Sequence, residues 1–143
     1  MAAALARAEA LCGAHGARLT PLRRRVLAIV WRRHAPIGAY DILRALGAER
    51  AVTPATVYRA LAFLRRHGLI HRIESLNAFV GCPRPGRRHA AQFLICRDCG
   101  GVGELDDAGL AAAIVARAAA IGFAPEFVTL EVRGRCARCA GDG

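Results

Sequence analysis

The sequence predicts an α+β chain in two parts: an N-terminal winged helix-turn-helix domain and a small C-terminal α/β domain stapled by one metal. Three observations predict it. Two Cys-x-x-Cys hooks, Cys96-Arg97-Asp98-Cys99 and Cys136-Ala137-Arg138-Cys139, lie near the end of the 143 residues. Ahead of them, segments of helical period give way to a hairpin of period two. Charge also divides the chain sharply. Residues 1–88 hold 16 Arg against four acids, a net of +12, and residues 89–143 hold five Arg against seven acids, a net of −2. A strongly basic part joined to a mildly acidic one points to nucleic-acid binding in the first and assembly or sensing in the second. All 21 basic residues are arginine, so the preference for Arg over Lys at any one position carries little weight.

Residues 3 to 15 read as a first helix. Thr20-Pro21 opens a second, as N-cap and first-turn proline, with Leu22, Val26, Ile29 and Val30 on an inward face. Arg23, Arg24, Arg32 and Arg33 are left for solvent or phosphates. A third, shorter helix follows Gly38, with Tyr40, Leu43 and Leu46 as its expected buried residues, and ends at Gly47. Thr53-Pro54 repeats the start signal for a fourth, in which Val57, Ala60, Leu61 and Leu64 form the inward stripe and Gly68 the stop. Residues 69–74 then alternate like a half-buried strand, 75–77 turn, and 78–82 return. In a winged helix-turn-helix the fourth helix enters the major groove with its first turns towards the bases. Arg59 can grip a guanine by O6 and N7, and Tyr58 can meet a thymine methyl or a phosphate. Thr56, Arg66, Arg23 and Arg24 complete the expected DNA-facing set. For any single arginine a plain solvated face is the alternative, and the charge of the whole part favours DNA.

The domain boundary is expected at Pro83-Arg84-Pro85-Gly86-Arg87-Arg88, where two prolines and a glycine bar regular structure. This gives a DNA-binding domain at 1–82, a linker at 83–88 and a second domain at 89–143. About 55 residues is near the size at which a domain begins to need a staple. Cys96, Cys99, Cys136 and Cys139 complete a closed tetrahedral shell around zinc, with Zn–S near ~2.3 Å and no open position for a substrate, so the site is structural. The 36 residues between Cys99 and Cys136 leave room for strand, helix and strand. Two disulfides or redox pairs are the alternative, but they belong to oxidising compartments, and charges break the apolar run of residues 1–9 as they would not in an export signal. A cytoplasmic location is expected. The longest apolar stretch, residues 110–121, is interrupted by Arg117 and falls short of the ~20 residues a membrane span needs. It is expected as a helix packed on the small sheet.

Arg18-Leu19-Thr20-Pro21, Ala39-Tyr40-Asp41-Ile42-Leu43, Thr56-Val57-Tyr58-Arg59-Ala60-Leu61 and His71-Arg72-Ile73-Glu74-Ser75, followed by the two hooks, resemble the ferric uptake regulator family, and within it the zinc uptake regulators. The likeness runs from about residue 5 to residue 139. It implies a homodimeric winged-helix repressor whose C-terminal α/β domain dimerises and which binds palindromic double-stranded operators when its metal is present, with zinc uptake genes as targets. It also implies a regulatory zinc held by His71, Cys82, His89 and Glu104, making two zincs per chain. Two nitrogens, a sulfur and a carboxylate suit tetrahedral zinc, and the cysteine disfavours manganese. Relatives that sense iron or peroxide carry a histidine-rich cluster before the first hook; this chain has no histidine after His89. The alternative within the family is a regulator of another metal or an oxidant, with only the structural zinc.

The remaining residues have ordinary readings. Cys12 is expected as a small buried apolar residue, and His15, His34 and His67 stand near helix ends. A zinc enzyme would need an open coordination position and a general base. The deaminase pattern of His-x-Glu with Pro-Cys-x-x-Cys does not occur, so neither an enzyme nor a small-molecule substrate is expected.

Overall fold

The computed structural model describes residues 1–33, 35–48, 52–87 and 89–141, so the reading of His34 and the Arg88 end of the linker lie outside the described residues. The chain divides into two compact units, Met1–Arg87 and Arg88–Gly143.

In the first unit the helices are α1 (Ala2–Ala14), α2 (Pro21–Arg32), α3 (Ala39–Leu46) and α4 (Pro54–Arg66). The two Thr-Pro signals start helices as expected. The Thr20 side chain accepts from Arg23 N, and Thr53 accepts from Thr56 N while the Thr56 side chain accepts from Thr53 N, a reciprocal cap that satisfies two otherwise orphan donors. Gly68, at φ +66°, turns the chain out of α4.

The core is shared by Val26, Leu27 and Val30 of α2, Ile42 and Leu46 of α3, and Val57, Ala60, Leu61, Phe63 and Leu64 of α4, closed by Ala8 and Cys12 of α1. Each fully buried Val, Leu, Ile or Phe contributes about 1.5–3 kcal/mol. The exposed ion pairs Arg24–Glu9 and Arg44–Asp41 contribute about 0–1 kcal/mol each, so apolar packing decides the fold. One expectation fails on α3: Tyr40 is 64% exposed. Ala39, Ile42 and Leu46 form the buried stripe, and Tyr40, one position on from Ala39, is rotated away from it.

The hairpin pairs β1 (Ile70–Ile73) with β2 (Ala78–Gly81) in antiparallel register, Ile70 opposite Gly81 and Ile73 opposite Ala78. A single 3₁₀ turn, Glu74–Leu76, and Asn77 at φ 46° reverse the chain. Asparagine tolerates that left-handed conformation better than other residues with a side chain. The hairpin is tied back at two places that sequence patterning does not signal. Ile37 exchanges both backbone hydrogen bonds with Phe79, at 3.0 and 2.9 Å. Trp31 Nε1 donates to Leu69 O at 3.1 Å. The unit runs on through most of the expected linker: Gly86, at φ 84°, lies so near Leu11 that a Cβ would stand 2.8 Å from its Cδ2.

The second unit is a three-stranded sheet in the order β4-β3-β5, with β3 at Ala91–Cys96, β4 at Val102–Glu104 and β5 at Thr129–Gly134. β4 runs antiparallel to β3, and β5 parallel, so α5 (Ala108–Ala120) lies in the crossover and a short α6 (Ala137–Gly141) follows β5. Asp107 caps α5, accepting from Gly109 N at 2.8 Å and Leu110 N at 3.2 Å. The helix forms as expected, but it does not pack as expected: no residue of α5 is buried, and Leu110, Ile114 and Val115 stay 39–43% exposed. Its longer side chains remain open to solvent. No helix among the described residues is long and apolar enough to cross a membrane.

Candidate metal centres and nucleic-acid interface

The sheet register assembles the hooks. Cys96 ends β3 directly opposite Gly134 of β5, so the first hook leaves the sheet beside the strand that leads into the second. Arg97 N donates to Gly134 O at 2.9 Å, and Cys136 N donates to Cys96 Sγ at 3.3 Å. The four sulfurs lie within 4.8 Å of one another, with Cys99 and Cys136 at 3.9 Å. A tetrahedron with Zn–S near ~2.3 Å has an edge of about 3.8 Å, so the cluster has the size of a zinc shell without a disulfide. All six cysteines are free thiols. Arg135 braces the pair of hooks from outside, its Nε 2.7 Å from Asp98 Oδ2 and its other arm on Cys139 O. Sequence reading missed this brace, since nothing in the spacing says that Asp98 faces the second hook.

The sulfurs are electrostatically unequal. Backbone N–H groups of Cys136, Cys99 and Asp98 aimed at Cys96 lower its pKa to about 6. Backbone and side-chain hydrogen bonds from Cys139 lower Cys136 as well. Cys139 moves the other way, to about 12, because its hydrogen bonds to Cys136 and Cys99 favour the protonated form, desolvation adds to this, and the Cys136 charge opposes a further thiolate. Metal-free hooks are therefore part thiolate at neutral pH, and Cys139 must release its proton when zinc enters. Zinc affinity at this site is expected to rise with pH, by roughly tenfold per unit for each proton released. Competition against a chelator of known affinity at pH 6, 7 and 8 measures the slope; a flat profile would contradict a protonated Cys139.

The other expected ligands occur as two pairs, one in each unit. In the first, His71 stands on β1 opposite Val80, and Cys82 follows β2 with its N–H donating to Leu69 O at 3.0 Å. Their donor atoms lie within 4.8 Å of one another, and Cys82 is 6% exposed. In the second, His89 precedes β3 and Glu104 ends β4, with His89 Nε2 2.9 Å from Glu104 Oε1 and the side chains 10% and 11% exposed. Zinc bonds of ~2.0–2.1 Å to nitrogen and oxygen give tetrahedral edges of about 3.3 Å. The His89–Glu104 pair is close to that edge, and the His71 and Cys82 donors lie near enough to reach one ion.

Residues 14–133 match the Ferric uptake regulator family. The chain belongs to that family. Its relatives within the family include the zinc uptake regulation proteins of Escherichia coli (strain K12) and Shigella flexneri, each 40% identical over 139 residues, 94% of this chain and 80% of the relative. Two solved structures are similar over nearly its whole length. Holo XcZur is 43% identical, covers 96% of both chains and has a TM-score of 0.88. A zinc uptake regulator complexed with zinc and DNA is 38% identical, covers 96% of this chain and 93% of that one, and has a TM-score of 0.91.

The residues expected to face DNA differ in how they are held within the first unit. Tyr58 is 45% exposed, Arg59 and Arg66 are exposed on the same helix, and neither arginine has a hydrogen bond or ion pair among the described residues. Three other expected contacts are engaged within the unit. The Thr56 hydroxyl donates to Thr53 O at 2.8 Å and so completes the start of α4. Arg23 lies 3.7 Å over the Phe63 ring and donates to Arg18 O at 2.7 Å, bracing α2 against α4. Arg24 pairs with Glu9. Cys12 is fully buried, as expected, and its burial pushes the thiol pKa up, away from reactivity.

Proposed function

We propose that this chain is a zinc-responsive transcriptional repressor that binds palindromic double-stranded operators as a homodimer and represses zinc uptake genes in the cytoplasm. It is a regulator, not an enzyme: a four-sulfur shell leaves no coordination position for a substrate. The observation that carries the zinc response is the His71 and Cys82 pair, a nitrogen and a sulfur donor standing outside the four-sulfur cluster. In this reading His71, Cys82, His89 and Glu104 hold a second, exchangeable zinc, so that each chain takes two. Such an ion joins the wing of the reading head to the second unit and favours the DNA-competent arrangement because it binds that arrangement more tightly. The homodimer is supported by what the second unit leaves uncovered, Ile121 at 85%, Phe123 at 63% and Phe127 at 83%, together with Leu110, Ile114 and Val115 of α5. Apolar groups this open are expected to be buried against a second copy.

Zinc per chain, measured by elemental analysis before and after brief treatment with a chelator too weak to strip four thiolates, tests the reading. Two zincs falling to one is the expected result. One zinc throughout, in protein first saturated with the metal, would point instead to a regulator of another metal or an oxidant.

DNA binding is expected to weaken steeply with salt, as phosphate counterions are released. Arg59→Ala is expected to lower operator affinity by roughly 10- to 100-fold while leaving non-specific binding nearly intact. Anisotropy titrations on operator and scrambled duplexes measure both quantities. Equal loss on the two duplexes would remove Arg59 from the bases.

A further inference from the structure

We propose that Trp31, at the end of α2, is the positioning residue for Cys82 and that its emission reports occupancy of the second zinc site. The proposal rests on the four-donor reading above. Leu69 O accepts two hydrogen bonds, from Trp31 Nε1 at 3.1 Å and from Cys82 N at 3.0 Å, so both lone pairs of one carbonyl are used to hold the indole and the ligand's backbone together.

The residue before the ligand is gripped as well. A Cβ on Gly81 would stand 2.6 Å from Trp31 Cδ1 and 3.1 Å from Nε1, so only glycine lets the strand lie against the ring. Cys82 directly follows the last residue of β2, where a strand end frays unless something holds it. Here the ring holds one side and the Leu69 carbonyl the other. α2 is also the helix that carries Arg23 over Phe63 of α4, so the element that fixes the ligand is the one that braces the reading helix.

Trp31 is the only tryptophan in the chain, and no other indole obscures its signal. The test uses full-length protein with the hooks filled by zinc and the exchangeable site emptied, titrated with zinc alone and then with cobalt(II) alone. Wild-type emission is expected to change over the second metal equivalent, and cobalt on the Cys82 thiolate is expected to quench it. Trp31→Phe keeps a ring but removes the N–H. It is expected to bind the second equivalent roughly tenfold more weakly by chelator competition, with a displaced cobalt–thiolate absorption band and the hook zinc retained. Gly81→Ala is expected to shift affinity and band in the same direction.

A second equivalent bound by wild type and Trp31→Phe with equal affinity and the same band would overturn the positioning role alone. Loss of the hook zinc together with the second would overturn it too, by making the effect global. Wild-type protein that takes no second cation would overturn the four-donor site, and the role of Trp31 with it.

Discussion

Cys82→Ser, and separately His71→Ala, is expected to abolish zinc-dependent operator binding while leaving the helices, the hairpin and the hook zinc in place. Cys82 is the softest donor of the set, and a serine hydroxyl in its place is a far poorer zinc ligand at neutral pH. His71 is half-buried on β1 and lies outside the helical core cluster, so its removal is expected to leave the fold in place. The expected loss of operator affinity at fixed zinc is about 10³-fold, the low end of the gap between specific and non-specific binding. Residual binding to any duplex should persist, because the arginines of the first unit remain. Operator titrations over a range of buffered zinc, with zinc per chain measured on the same samples, decide it. A midpoint and a plateau unchanged from wild type in both variants would sink the second site.

The largest effect on the fold is expected from Cys136→Ser. Among the described residues of the second unit only Gln92, Phe93, Ile95 and Cys96 are buried. Two large apolar side chains supply about 3–6 kcal/mol, too small a core to hold a unit of this size without a staple. Structural zinc supplies on the order of 10–16 kcal/mol of folding free energy in small metal-dependent units. With one thiolate gone, the chain is expected to lose the hook zinc, the parallel β3–β5 pairing and the dimer together. The first unit, with its own core from Leu5 to Phe79, should stay folded. Light scattering for mass and amide exchange for each unit measure the two outcomes. A dimer that persists with a protected β3 and no hook zinc would contradict the staple.

Comparing residues with their expected places shows where sequence patterning works and where it stops. Thr20-Pro21 and Thr53-Pro54 start their helices, and Gly68 ends one, because caps act over three or four residues and are written locally. The hooks are legible for the same reason, as each is a four-residue turn. Tyr40 was misplaced because an eight-residue helix has little more than two turns from which to read a phase. Arg23 and Arg24 resemble every other exposed arginine in the sequence, and only the meeting of α2 with Phe63 and with Glu9 sets them apart. The alanine-rich helix was correct as an element and wrong as a packed one, since composition does not say which surface will cover it.

By itself the sequence determined the order of elements, the two-part division, the four sulfurs, and the nitrogen, sulfur and carboxylate donors available for a second ion. These are properties of residue type and short spacing, and they survive without knowledge of what lies across space. Tertiary structure alone decided that Arg23 lies over Phe63, that Arg135 ties Asp98 to the second hook, and that Trp31 and Gly81 meet behind Cys82. Those are contacts between residues some 35 to 50 positions apart, and their formation depends on close packing that no local pattern encodes.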